Sequence, residues 1–152
     1  MMRFILIALP LALTTVACDN SGSGTTPTTT TPQTFATEIF AGTVPPLVDG
    51  VRQSVFNNFT VGQGGGQISV TLTSAVLTRP GGTLDTTVSL GVAVGAASGT
   101  TCTPLANASA IAQASSAAIL SGSVAAGAYC VQLSDVTNQV GPVAYAVAVV
   151  HP

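Results

Sequence analysis

Chemistry in this 152-residue chain has few places to happen: three cysteines (Cys18, Cys102, Cys130), one histidine (His151) and five carboxylates (Asp19, Glu38, Asp49, Asp85, Asp135). Two thiols can oxidise to a disulfide, and thiolates with imidazole can hold a metal. A metal or redox site needs ligands at close spacing, yet no Cys-x-x-Cys occurs and His151 is distant in sequence from every cysteine. A Ser-His-Asp triad needs its imidazole oriented by a buried carboxylate. His151, next to the last residue of the sequence, reads instead as a surface or strand-end histidine. Asp49, Asp85 and Asp135 each sit in or near a turn signal, where an Asp side chain bonds nearby backbone. Calcium wants about six to eight oxygens. With no Asp-x-Asp cluster, the three aspartates read as turn formers, and nothing marks a carboxylate pair for hydrolysis. The expectation is a protein that is not an enzyme, with no catalytic residue, no metal and no cofactor.

Cys18 stands where the composition changes. Arg3 is followed by the apolar run Phe4 to Leu13, interrupted only by Pro10. That pattern is a signal peptide over residues 1–17, cleaved after Ala17. Its apolar run is too short for a ~30 Å hydrocarbon core, which takes about 20 helical residues. Thr15-Val16-Ala17-Cys18 resembles a bacterial lipobox. Ala17 is small enough for the peptidase to reach the next bond, and only the Cys18 thiol can take a diacylglyceryl group. Thr15 departs from the leucine commoner at that place. The resemblance implies a lipoprotein held to a membrane by acyl chains such as palmitate on Cys18, since two or more chains anchor stably. The address is then the bacterial cell envelope, on the outer membrane or cell surface. Asp19 also resembles the inner-membrane retention signal of some Gram-negative bacteria, so the membrane itself stays open.

With Cys18 given to lipid, Cys102 and Cys130 remain as an even pair, which an exported chain should oxidise. Closing their 28-residue separation is worth roughly 3–4 kcal/mol in the chain-entropy model. Cys130 alternates with Tyr129 and Val131, so the bridge is expected on an outer face or at a sheet edge.

The elements that position these groups follow from composition. Only 5% of residues are charged and lysine is absent, against a typical ~25%. Without residues 1–17 the chain keeps Arg52 and Arg79 against five carboxylates, a net of −3. Two arginines that far apart make no phosphate-binding patch, which excludes nucleic acid as a partner. Residues 19–34, DNSGSGTTPTTTTPQT, have no apolar side chain beyond proline. They read, together with Cys18, as a disordered tether over 18–34, with a reach of at most ~50 Å.

The folded domain is expected over 35–152, in short alternating strands cut by turn signals. Glu38 to Val44 is the first strand, stopped by Pro45-Pro46, and Asp49-Gly50 makes a turn. Val51 to Val61 is the second, with Phe56 out of phase and a bulge expected near Asn57-Asn58. Ile68, Val70 and Leu72 alternate with Ser69, Thr71 and Thr73. Pro80-Gly81 fits a type II turn, and Val88, Leu90, Val92 and Val94 mark a further strand. Residues 106–118 read as a loop or weak strand. Ile119 to Val124, then Tyr129/Val131/Leu133, then Tyr145/Val147/Val149 complete about eight strands, an all-β, jelly-roll-like antiparallel β-sandwich.

Phe59-Thr60-Val61, the glycines after it, Gln67 to Leu72, Gly127 to Val131 and Tyr145-Ala146-Val147 resemble, in order, the bacterial pre-peptidase C-terminal domain. The resemblance spans about 95 residues and implies a jelly-roll-like sandwich with a non-catalytic accessory or binding role, usually beside a secreted hydrolase. Asp85-Thr86-Thr87-Val88 stands where relatives often have Asp-x-Asp-Leu, so no calcium or matrix site carries over. The expected function is a non-catalytic envelope lipoprotein displaying its sandwich for a structural or interaction role. The alternative is a carbohydrate- or protein-binding accessory module, its partner an envelope protein or glycan. A glycan reader would be expected to show an exposed aromatic platform.

Overall fold

A computed structural model describes residues 32–137 and 139–152. The expected signal peptide, Cys18 and most of the tether lie outside them. Among the described residues the elements are β1 (Ala36–Val44), β2 (Ser54–Val61), β3 (Gly66–Thr78), β4 (Leu84–Asp85), β5 (Leu90–Ser98), β6 (Thr101–Ala112), β7 (Leu120–Val124), β8 (Gly127–Asp135) and β9 (Val143–His151). One sheet runs β1-β9-β3-β4, with β7 also paired to β3, and the other runs β2-β8-β5-β6. Every pairing is antiparallel. The all-β sandwich is therefore as the periodicity indicates, with nine strands; β4, at two residues, is too short to read from sequence.

The core forms where the inward rows of both sheets meet. Val70, Leu72, Val147 and Val149 of one sheet and Leu90, Val92, Val131 and Leu133 of the other are completely or almost completely buried. Each such side chain removed from water contributes about 1.5–3 kcal/mol. In β3 the inward phase passes from Ile68, Val70 and Leu72 to Ala75 and Leu77. One extra residue makes that switch, in a bulge between Leu72 and Ser74. The Thr73 hydroxyl there donates to the Ala146 carbonyl at 3.0 Å.

The bulge expected at Asn57-Asn58 is absent. β2 pairs with β8 in unbroken register from Ser54↔Ser134 to Val61↔Gly127. Phe56 keeps strand phase and stands half-buried on the outer face opposite Gln132, so an outward aromatic had the look of a register slip. The Asn57 amide crosses between the sheets and donates to the Tyr145 hydroxyl at 2.9 Å.

Residues 101–112 form a long edge strand and 113–119 a loop, so the reading of 106–118 as a loop or weak strand holds but misses where the strand begins. Opposite Val94, β6 carries several extra residues between Pro104 and Ser109, and Asn107 takes a left-handed φ of 59°. Cys102 of this strand is bonded to Cys130 of β8, with Cα atoms 5.9 Å apart. Cys130 points to the outer phase of β8, as expected, yet is fully buried beneath the bridge. The bridge passes over Gly95 of the intervening β5. A Cβ there would lie 2.9 Å from each sulfur and 2.6 Å from the Thr103 carbonyl oxygen. Only glycine leaves that space.

Both turn signals hold. Asp49 (φ 50°) and Gly50 (φ 77°) form a two-residue hairpin turn between Val48 and Val51. Gly81 (φ 92°) follows Pro80 at the third position of a turn closed by Gly82 N–H donating to the Arg79 carbonyl at 2.9 Å.

Candidate binding site at the loop end

Strand register sorts the connections to two ends. At one end, Val44 and Leu77 both pair with Val143, while Leu90 pairs with Ala112 and Asp135. The loops 45–53, 79–89 and 136–142 gather there. At the other end lie the tight 62–65 turn, the Ser98–Thr101 turn and the stretch 32–35 through which the chain joins the domain. That stretch is tied down: the Gln33 amide donates to the Gly65 carbonyl, and Gly62 N–H donates to the Pro152 carbonyl at 2.9 Å. The chain is thus bound to the domain from Gln33, slightly before the expected boundary at 35.

The loop end carries the pocket with the most varied chemistry. Its volume is about 340 Å³, and its lining includes Leu77, Arg79, Asp85, Thr87, Gln139 and Val140. The Pro80-Gly81 turn brings Arg79 back beside β4, so its guanidinium donates to Asp85 Oδ2 at 2.5 Å. Asp85 Oδ1 accepts from the Thr87 hydroxyl at 2.7 Å and the Thr87 amide at 2.9 Å. Those bonds, the hydroxyl's first, then the amide's and then Arg79's, pull the Asp85 carboxyl down to about 2. It is a permanent anion clamped to a permanent cation.

The opposite wall is the 136–142 loop. Asp135 is buried, and its two carboxylate oxygens accept from Thr137 N–H and Gln139 N–H, each at 3.0 Å. Such bonding is the turn role read for this residue. Gln139 is itself buried; its Nε2 donates to the Ser89 carbonyl at 3.0 Å. Its Oε1 is a buried acceptor that no protein donor reaches among the described residues. Sequence carries almost no signal for Gln139, because a glutamine in a turn looks like any solvated amide.

The three turn aspartates are not brought into one cluster. Asp49 sits on its hairpin, and Asp135's oxygens are occupied by its own loop. Among the described residues no three His, Cys, Asp or Glu side chains group as a metal site would need.

His151 closes β9, as the strand-end reading expects, but it does not lie on the surface. It is 5% exposed, with Nε2 2.9 Å from Glu38 Oε1, Nδ1 3.1 Å from the Pro152 carbonyl oxygen and its ring 5.3 Å from that of Phe59. Strand pairing explains the burial: Ala36 opposes His151, so Glu38 on the same face of β1 reaches back across β9 to it. Both ring nitrogens are engaged by these contacts, which leaves neither directed at a hydroxyl nucleophile.

A second concavity of about 240 Å³ opens along the side between β6 and β7, floored by Ile68 and Val94. Its walls are uncharged, and the extra residues around Asn107 form one of them.

Fold and site together define a disulfide-stapled β-sandwich with a polar pocket among the loops of one end. The chain matches no protein-family model, no curated protein and no solved structure.

Proposed function

We propose that the protein is a non-catalytic lipoprotein of the bacterial cell envelope, held to its membrane through lipid on Cys18, whose sandwich is displayed for contact with an envelope partner. The observation that carries this reading is the polarity of the domain. Pro32 to Phe35 join it at the tight-turn end, and the pocket and three of its loops gather at the other. A chain tethered at Cys18 would present that loop end away from the lipid. Thr15 to Cys18 and the pre-peptidase C-terminal resemblance lend support from sequence. So does the scarcity of charge, which suits recognition by hydroxyls, amides and aliphatic surface over long-range steering. The outer membrane or cell surface is the proposed address, with Asp19 as the residue that would redirect it to the inner membrane.

Mass spectrometry of the protein taken from membranes without reduction tests the reading. A diacylated or triacylated N-terminus at Cys18 is expected, with the Cys102–Cys130 peptide pair two hydrogens light. A free Cys18 thiol on an uncleaved chain would remove the anchor.

A carbohydrate- or protein-binding role is the second reading, supported by the loop-end pocket and by Gln139 in its wall, whose buried oxygen no donor among the described residues reaches.

A further inference from the structure

We propose that the pocket between the Arg79–Asp85 pair and Gln139 is a binding site for the hydroxyls of a neutral saccharide. This inference rests on the binding reading above and is independent of the lipid anchor.

Charge decides first. The ionisable groups of the lining are one guanidinium and one carboxylate, clamped to each other, so the pocket has no net charge. An anion would meet Asp85 and a cation would meet Arg79, each desolvated against a like charge. A divalent ion is further disfavoured because both Asp135 oxygens already accept from backbone amides. An uncharged ligand pays neither penalty.

Hydrogen bonding decides next. The Gln139 oxygen is a buried acceptor that no donor among the described residues reaches, and one N–H of its amide is already given to the Ser89 carbonyl. A buried acceptor left unmade costs roughly 1–3 kcal/mol. Beside it, Arg79 keeps guanidinium N–H groups beyond the one given to Asp85, and the Asp85 carboxylate keeps free lone pairs. Donors and acceptors alternating over a few ångströms match neighbouring hydroxyls, each of which both donates and accepts. Leu77 and the 62%-exposed Val140 supply aliphatic surface for the C–H face of a ring. No aromatic side chain lines the pocket, so affinity rests on hydrogen bonds, with a Kd of about 1 mM.

The test is a titration of ¹⁵N-labelled protein, purified from membranes in a sugar-free detergent, followed by amide correlation spectra. The probes are methyl glycosides of glucose, galactose and N-acetylglucosamine, with calcium chloride as a separate arm. At least one glycoside should shift the Thr87 and Val140 amides saturably at about 1–10 mM. Arg79→Ala and Gln139→Leu should each weaken that binding about tenfold. Arg79 is on the surface, so its variant serves even if Gln139→Leu fails to fold. No shift with any glycoside up to about 50 mM, or equal shifts in wild type and Arg79→Ala, overturns the proposal. So does calcium moving these amides while no sugar does, which would mark a cation site. A free Cys18 thiol would sink the anchor and leave this titration unaffected.

Discussion

Replacing Gly95 with alanine tests the central packing claim of the stapled edge. The added methyl would lie 2.9 Å from each of the Cys102 and Cys130 sulfurs and 2.6 Å from the Thr103 carbonyl oxygen. Neither the covalently tied sulfurs nor the backbone can rotate away as a flexible side chain would. Overpacking of this kind costs about 1–3 kcal/mol. Removing the bridge alone, as Cys102→Ala/Cys130→Ala, should cost about 3.5 kcal/mol from the 28-residue loop. The informative quantity is the coupling between the two changes. Without the sulfurs, two of the three clashes at Gly95 vanish, and β6 is freed to move its Thr103 carbonyl outward. Gly95→Ala in the bridgeless background should therefore cost at least about 1 kcal/mol less than in the wild type. Urea unfolding of the four proteins measures the cycle, with m-values checked for constancy. At about 4 °C per kcal/mol for a domain of this size, Gly95→Ala alone should lower Tm by about 4–12 °C. Costs that add within about 0.5 kcal/mol would refute the reasoning, because they would mean that the bridge does not pass over Gly95.

Three further outcomes follow from the geometry. Tyr145→Phe removes the acceptor of the inter-sheet bond from Asn57 and should cost about 1 kcal/mol in urea unfolding, while Phe56→Leu on the outer face should cost less. Leu133→Ala opens a cavity at a fully buried position and should cost about 2–5 kcal/mol, enough to lower Tm by about 8–20 °C. The Asp85 carboxyl should titrate near 2 by ¹³C NMR, and Thr87→Ala should return it toward 3.8 further than Arg79→Ala does, since the threonine hydroxyl is the larger cause. Its pKa is depressed on folding, so its stabilising effect is complete above about 4 and fades as pH falls toward 2.

Period-two alternation was enough to locate β3, β5 and β9, because each buries one face and exposes the other. Asp49-Gly50 and Pro80-Gly81 were legible because their backbone conformations demand those residues. Where alternation fails, so does the reading. β6 lies at an edge with most of its residues exposed, and its hold comes from pairing with β5 and the bridge to β8, neither of which leaves a local pattern. The bulge in β3 hides behind threonine and serine, which suit either phase. The candidate site was legible only in part. Asp85 and Asp135 stood out as turn residues, but the approach of the Arg79–Asp85 pair to Gln139 across one pocket depends on register set far along the chain. The burial of His151 was hidden for the same reason, since Glu38 reaches it only through the pairing of β1 with β9.

That pairing also governs how the protein can come into being. β9 lies between β1 and β3, in the middle of its sheet, although it is the last strand in chain order. A growing polypeptide has no neighbour for β1 until Val143 to His151 have been made. Cooperative folding therefore waits until β9 has been made, and until then β1 has no partner strand and β3 holds only β4 and the short β7. A nascent chain of this topology needs either rapid completion or a chaperone that shields those strands until β9 arrives.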